Sequence, residues 1–233
     1  MLSLKTKELT LKYDKICYIN KINLILEPKH FTVVMGANGA GKSLLLRLLH
    51  GLINPTYGTI YWNGNPMNSG IRKQQAMVFQ RPVLLRRSVA ANIDFVLGLK
   101  NSGMQDKRDE ILENVGLLEF RKHPARMLSV GEQQRLALAR ALATEPEVIF
   151  LDEPTASLDP ASILAIEKIV KNAHTDGTKI IFITHELGQA KRLADDIVFL
   201  HQGKLIEHTS ATSFFDNPSS EPARAYLEGR IIL

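Results

Sequence analysis

The sequence predicts an α/β fold in which a mainly parallel sheet is flanked by helices and interrupted by a helical insert. Three observations carry that expectation. Apolar runs of strand length, such as Val148–Leu151 and Ile180–Ile183, alternate with stretches of helical spacing. Between about Val83 and Ala143 the apolar residues fall at helical spacing alone. A glycine-rich octet, Gly36–Ser43, joins an apolar strand to an apolar helix. With 233 residues, 45% of them hydrophobic, the chain has the length and the material for one sizeable core.

In chain order, Ser3–Leu11, Cys17–Leu26 and Phe31–Met35 read as strands. The glycine turn follows, then a helix from near Lys42 through LLLRLLH that stops at Gly51, a natural C-terminal cap. GTIYWNGNP, Gly58–Pro66, reads as a strand ending in a tight turn at Asn63-Gly64, and Ala76–Phe79 as another short strand. In the insert, Val89, Ile93 and Val96–Leu97 mark one helix. Ile111, Leu112, Val115 and Leu118 mark a second, and Leu136, Ala139 and Leu142–Ala143 a third. Strands return at Val148–Leu151, Lys179–Thr184 and Ile197–Leu200, separated by helices that begin near Asp159 and Glu186. The sequence carries no internal repeat, low-complexity segment or heptad run.

Composition narrows the function classes. No apolar stretch approaches the ~20 residues that cross a bilayer, and MLSLKTKELT has no leader-like apolar core, so the chain is expected to stay in the cytosol. The one cysteine, Cys17, excludes an internal disulfide and a cysteine-cluster metal site, and is expected to fill space in a strand. The formal charge of +5 is spread along the chain, with short clusters at Arg86–Arg87 and Arg121–Lys122. It reads as a soluble surface rather than a nucleic-acid stripe.

The octet GANGAGKS matches G-x-x-x-x-G-K-[ST] with a strand before it and a helix after it. Glycines let backbone N–H groups turn inward as an anion nest, and the positive end of the helix adds to it. Lys42 can then reach β- and γ-phosphates, and the Ser43 hydroxyl can ligate Mg²⁺. Further on, VIFLDE ends an apolar strand in two carboxylates, at the sheet edge where α/β folds bind ligands. Asp152 is expected to hold the metal and Glu153 to act as general base on an attacking water. Gln80 and His185 each follow a strand and are expected at the same edge. HELGQ has no second histidine one turn on, which excludes a zinc-protease motif. LSVGEQQR, residues 128–135, opens a helix with Ser129 as N-cap and Glu132 in capping-box position.

Together these motifs resemble the ATP-binding subunit of ATP-binding cassette (ABC) transporters, essentially from Leu2 to the C-terminus. The resemblance implies a P-loop NTPase core with a mainly parallel sheet, an antiparallel β region and an inserted helical subdomain. The core spans 1–82 and 144–233, and the insert 83–143. It implies ATP and Mg²⁺ as cofactors, with ATP held by Tyr13 (Tyr18 in reserve), Gly36, Ala37, Asn38, Gly39, Ala40, Gly41, Lys42, Ser43 and Leu44. Mg²⁺ falls to Ser43, Gln80 and Asp152, and catalysis to Glu153, His185 and Gln80. Ser129, Val130, Gly131 and Glu132 correspond to the signature segment, which lies over the ATP of the opposite subunit, and Asp159 to a loop that crosses to that partner. Two copies are expected to sandwich two ATPs head to tail on the cytoplasmic face of the membrane. Separate permease chains would dock around Gln80 and RPVLLRRSV, with an extracytoplasmic solute-binding protein beyond them.

The chain departs from the family pattern at several positions. Ala37 stands where proline is common, Leu44 where threonine is frequent, and Lys29-His30 where Gly-Glu is usual. Val130 replaces the first of two signature glycines, so ordinary negative φ is expected there and close backbone approach at Gly131. On this basis Gly131→Asp is expected to abolish cooperative hydrolysis while sparing nucleotide binding by the monomer. VFQRPVLLRRSVAANI and GQAKRLADDIVFLHQGKLIE look most like tungstate-type oxyanion importers. The tail FFDNPSSEPARAYLEG is also similar to phosphate and polar amino-acid importers. Export or cell-division ATPases and non-transport ABC ATPases are the other classes compatible with the motifs.

Overall fold

A computed structural model of the chain describes residues 3–100 and 107–230. Its central layer is a six-stranded sheet built from β3 (Thr32–Met35), β6 (Gln75–Val78), β7 (Val148–Asp152), β8 (Lys179–Ile183), β9 (Asp196–His201) and β10 (Lys204–Ser210). The strand order is β10-β9-β3-β8-β7-β6. All neighbouring pairs are parallel except β9–β10, an antiparallel hairpin at one edge. Beside it stands a four-stranded antiparallel sheet, in the order β2-β1-β4-β5, from β1 (Leu4–Tyr13), β2 (Ile16–Leu26), β4 (Tyr57–Trp62) and β5 (Asn65–Pro66). The two sheets meet where the Asn20 amide donates to Gly203 O at 2.8 Å.

The period of two decides which face each central side chain covers. Val33, Ile149, Leu151, Ile180, Phe182, Ile197 and Phe199 point to one face. There they share a core with Val89, Ile93, Leu97, Leu112 and Leu136 of the insert. Val34, Val148, Phe150, Ile181, Ile183, Val198 and Leu200 point to the other, against α1 (Lys42–His50) and the inner residues of β1, β2 and β4. Both faces are covered, which explains why these strands read as unbroken apolar runs.

The insert contains α3 (Val89–Lys100), α4 (Arg108–Asn114) and α5 (Val130–Leu142) where its spacing predicts helices, except that the second ends early: Val115 caps it and Leu118 opens a separate short turn. In the core, α6 (Pro160–Thr175) and α7 (Leu187–Leu193) begin where expected, directly after Asp159 and Glu186. Gly51 ends α1 in the left-handed region, at φ 78. The sequence reading did not anticipate α2 (Ser69–Lys73), β10, α8 (Ala211–Asp216) or α9 (Glu221–Leu227). Cys17 lies in a strand but does not fill space. It sits in the exposed first residues of β2, an edge strand, and its thiol donates to Ile19 O at 3.3 Å.

One buried histidine carries an expectation for acid stability. His50, the last residue of α1, packs edge-on to Phe150 at 5.6 Å, and its Nδ1 is buried without a partner. Burial, with Arg72 adding to it, lowers its pKa to about 4 from 6.5. Between those values the unfolded chain binds a proton that the folded chain refuses, so stability falls as pH drops through this window. The slope is roughly 1.4 kcal/mol per pH unit, ~3 kcal/mol in all. Urea unfolding of His50→Leu between pH 6.5 and 4 should lack this component. An unchanged slope would remove His50 as its source.

Candidate active site

Every parallel strand delivers its carboxyl end to one edge of the central sheet, and the chemistry gathers there. β3 runs into Gly36, which has φ 143; a Cβ at that position would lie 2.2 Å from Leu200 O on β9. Only glycine lets the loop leave the strand so close to its neighbour's backbone. At the other end of the loop, Gly41 caps α1 at φ 97, pressed against Ile19 Cδ1 and Tyr18 O of β2. Between them Asn38 and Gly39 are exposed and Ala40 is buried, its amide donating to Ala37 O at 3.1 Å. Leu44 is half-buried and packs against the core on the α1 face of the sheet.

Lys42 is buried and spans this loop, its Nζ donating to Gly36 O at 2.9 Å and Ala37 O at 3.1 Å. Burial pushes its pKa down, and the carboxylates of Glu153 and Asp152 oppose the shift. The Ser43 hydroxyl donates to Asp152 Oδ1 at 2.8 Å. Asp152, the last residue of β7, has its pKa pushed up by burial, with the Ser43 hydrogen bond, Arg47 and Lys42 pulling against that shift. Together Ser43 and Asp152 present hard oxygens in the way Mg²⁺ with a polyphosphate requires, one carboxylate and one hydroxyl. Among the described residues no three His, Cys, Asp or Glu side chains converge as a metal cage.

Glu153 turns out of β7 in the left-handed region, φ 48, which costs on the order of 1 kcal/mol for a residue with a Cβ. Gln80 Nε2 reaches its Oε2 at 3.4 Å, and His185 Nδ1 lies 3.5 Å from the same oxygen. The structure therefore brings together Lys42, Ser43, Gln80, Asp152, Glu153 and His185, from four different strand ends. Tyr13 and Tyr18 stand edge to face at 5.8 Å, both exposed, with the Tyr18 backbone touching the end of the phosphate loop. This arrangement can hold a polyphosphate, bind its metal and poise a base next to the terminal phosphate.

Among the described residues, Ser129, Val130, Gly131 and Glu132 make no hydrogen bond or ion pair with this group. They form the start of α5. The Ser129 hydroxyl caps the Glu132 amide at 3.3 Å, and Glu132 Oε2 returns to the Ser129 amide at 2.8 Å, a complete capping box. Val130 has ordinary helical φ and is 62% exposed. Gly131 makes its close approach inside the chain: a Cβ there would meet Ser162 Oγ at 2.3 Å. Ser162 in turn donates to Asp159 Oδ2 at 2.6 Å, so Asp159 serves as the cap of α6. A side chain at Gly131 therefore requires Ser162, in the first turn of α6, to shift, so Gly131→Asp perturbs packing within one copy as well as any contact with a second.

The sequence reading also missed Gln134. It is buried on α5, and its Nε2 donates to Phe79 O at 3.2 Å, tying the helix that Ser129 opens to the residue before Gln80. Its place one turn ahead of buried Leu138 was the available signal. Thr155 is a second such residue. Its hydroxyl donates to Gln189 at 3.0 Å, Gln189 donates to buried Glu167 at 3.1 Å, and Arg192 clamps Glu167 with two hydrogen bonds.

A family model described as ABC transporter matches residues 19–156. The phosphate import ATP-binding protein PstB of Campylobacter jejuni is 37% identical, over 97% of this chain and 98% of its own length. The glutamine transport ATP-binding protein GlnQ of Bacillus subtilis is 36% identical, over 92% of this chain and 93% of its own. Among solved structures, a dimeric ATP-binding cassette in a post-hydrolysis state with ADP and Pi superposes with a TM-score of 0.81 at 28% identity. That match covers 89% of this chain and 98% of the other.

Proposed function

The chain belongs to the ABC transporter family, and from that premise we propose that it drives a membrane importer whose cargo is a small oxyanion, tungstate or its relative phosphate. It is an ATPase that takes Mg-ATP and works as the ATP-binding subunit of an importer, as a dimer beside a permease. No helix among the described residues is long and apolar enough to cross a membrane, and in this reading a permease supplies the transport path. In this reading the chain sits peripherally on the cytoplasmic face, divided into a core of 1–82 and 144–233 and an insert of 83–143.

The observation that carries the mechanism is the convergence on Glu153 Oε2 of Gln80 at 3.4 Å and His185 at 3.5 Å, beside the Ser43–Asp152 pair. Lys42 and the loop amides hold the β- and γ-phosphates, with Tyr13 against adenine. Lys42 exchanges the carbonyls of Gly36 and Ala37 for phosphate oxygens. Ser43 and Asp152, with Gln80, would hold the Mg²⁺, which would offset the charge developing on the phosphates. Glu153 accepts a proton from the water that attacks the γ-phosphorus as the bond to the ADP oxygen breaks. His185 supports the γ-phosphate and holds Glu153 in place. Ser129, Val130, Gly131 and Glu132 present the capped end of α5 to the ATP of the second copy, an anion site built from a helix N-terminus. Asp159 lies at that same face through Ser162.

Support for the oxyanion comes from the segments around Gln80 and His185 that look like tungstate-type importers, and from the phosphate-import relative. A polar amino acid is the second reading, favoured by the glutamine-transport relative. The test is ATPase stimulation of the complex reconstituted with its permease and its solute-binding protein. Tungstate should stimulate hydrolysis more than phosphate, sulfate or glutamine. A stronger response to phosphate would shift the cargo within the oxyanions, and a response to glutamine alone would overturn the class.

A further inference from the structure

The turn that follows β7 is strained at both ends. Glu153 at φ 48 and Ser157 at φ 61 lie in the left-handed region, and such conformations persist only where the surroundings over-determine them. Thr155, between them, is buried, and its hydroxyl donates to Gln189 Oε1 at 3.0 Å. Gln189 Nε2 donates to Glu167 Oε1 at 3.1 Å, and Arg192 closes the line on both Glu167 oxygens, at 3.1 and 2.6 Å. A carboxylate only accepts, so the amide nitrogen of Gln189 must face Glu167 and its oxygen must face Thr155. The Thr155 hydroxyl is thereby fixed as a donor. Burial alone would raise the Glu167 pKa, but the hydrogen bonds from Arg192 and Gln189 hold it below its ordinary value. The line therefore keeps its direction at neutral pH.

Its members sit on the segments that carry the reacting groups. Thr155 lies two residues after Glu153, and Gln189 lies four after His185, on α7. Glu167 lies on α6, the helix that Asp159 caps. The line thus ties together the two segments whose side chains meet where His185 Nδ1 lies 3.5 Å from Glu153 Oε2. We propose that Thr155, Gln189 and Glu167 are positioning residues for ATP hydrolysis, holding the Glu153 turn against the start of α7 so that the base and His185 keep their separation. This rests on the assignment of Glu153 as base given above. All three are buried, at 6%, 2% and 4% exposure, so water does not compete for their hydrogen bonds and a broken one is not replaced.

The test is the steady-state ATPase of the full chain over a range of Mg-ATP concentrations. Thr155→Val keeps the shape of the side chain and removes the donor. It should lower kcat about tenfold, within the ~10²-fold that a misplacement of about 1 Å can cost, while KM for ATP stays within about twofold. Thr155→Ser, which restores the hydroxyl, should recover most of the wild-type kcat. Gln189→Met breaks the line from its other side and should show the same split, which keeps the test decisive if Thr155→Val fails to fold. Thr6→Val is the control. Thr6 is buried in β1 and its hydroxyl donates to Ile22 O at 2.9 Å, so this variant loses a comparable hydrogen bond far from the site and should keep the wild-type kcat. A normal kcat in Thr155→Val and Gln189→Met, or a Thr155→Ser variant as slow as Thr155→Val, would overturn the inference and leave the line as packing between α6 and α7. Glu153→Gln in the same assay separates the two claims. If it were slow while the line variants were normal, the positioning role alone would fall; if it turned over ATP at the wild-type rate, the base assignment would fall first.

Discussion

Replacing Glu153 by glutamine should lower ATP turnover by about 10²- to 10⁴-fold, the range for losing a positioned general base, while ATP binding persists. The substitution keeps the size of the side chain and the left-handed turn at φ 48, so the loop geometry is retained. Lys42, Ser43 and Asp152 remain in place to bind Mg-ATP. With the nucleotide bound but not cleaved, the variant should accumulate as a closed dimer on size exclusion in Mg-ATP, where wild type returns to monomer. Hydrolysis at the wild-type rate would remove Glu153 from the role of base. The Gln80 and His185 contacts at 3.4 and 3.5 Å would then be structural only.

Lys42→Met should act one step earlier, on binding. The ammonium donates its hydrogen bonds to the loop itself, at Gly36 O and Ala37 O. A hydrogen bond to a charged group contributes about 1.5–3 kcal/mol, so ATP affinity should fall roughly 10- to 100-fold. Methionine also removes one of the two cations, with Arg47, that favour the ionised form of Asp152. Isothermal titration with ATP and Mg²⁺ would show it. Unchanged affinity would mean that the backbone nest alone holds the phosphates and that Lys42 serves only to close the empty loop.

Much of this was legible in the residues. The unbroken apolar runs placed the central strands, the Gly-rich octet placed the phosphate loop, and the acids that end β7 placed Asp152 and Glu153 at the correct edge. Local signals were enough because each of these features is a property of neighbouring residues. β10 was missed because KLIEHTS is a polar strand at the edge of the sheet, paired with β9. The short helices α8 and α9 begin at Ser210 and Ser220, caps that were present but lay outside the apolar periodicity. Gln134 on Phe79, Gly131 under Ser162, and the line from Thr155 through Gln189 to Glu167 were not readable. Those contacts depend on how distant segments meet. Gly131 is the instructive case, because its lack of a side chain serves packing within one copy whatever it offers to a second.

In the proposed function each ATP is completed by two copies, Lys42 and Glu153 from one and the capped start of α5 from the other. A mixing experiment tests it directly. Lys42→Met removes one half-site. Ser129→Asp removes the other: aspartate can still cap the helix although it gives up the hydroxyl's bond to Glu132 Oε2, and its charge repels the γ-phosphate. Each variant alone should be inactive. An equal mixture should recover about a quarter of wild-type ATPase, because half of the dimers are mixed and each then holds one intact site. Recovery to that level is the predicted result, and a mixture as inactive as its parents would contradict a site shared between copies.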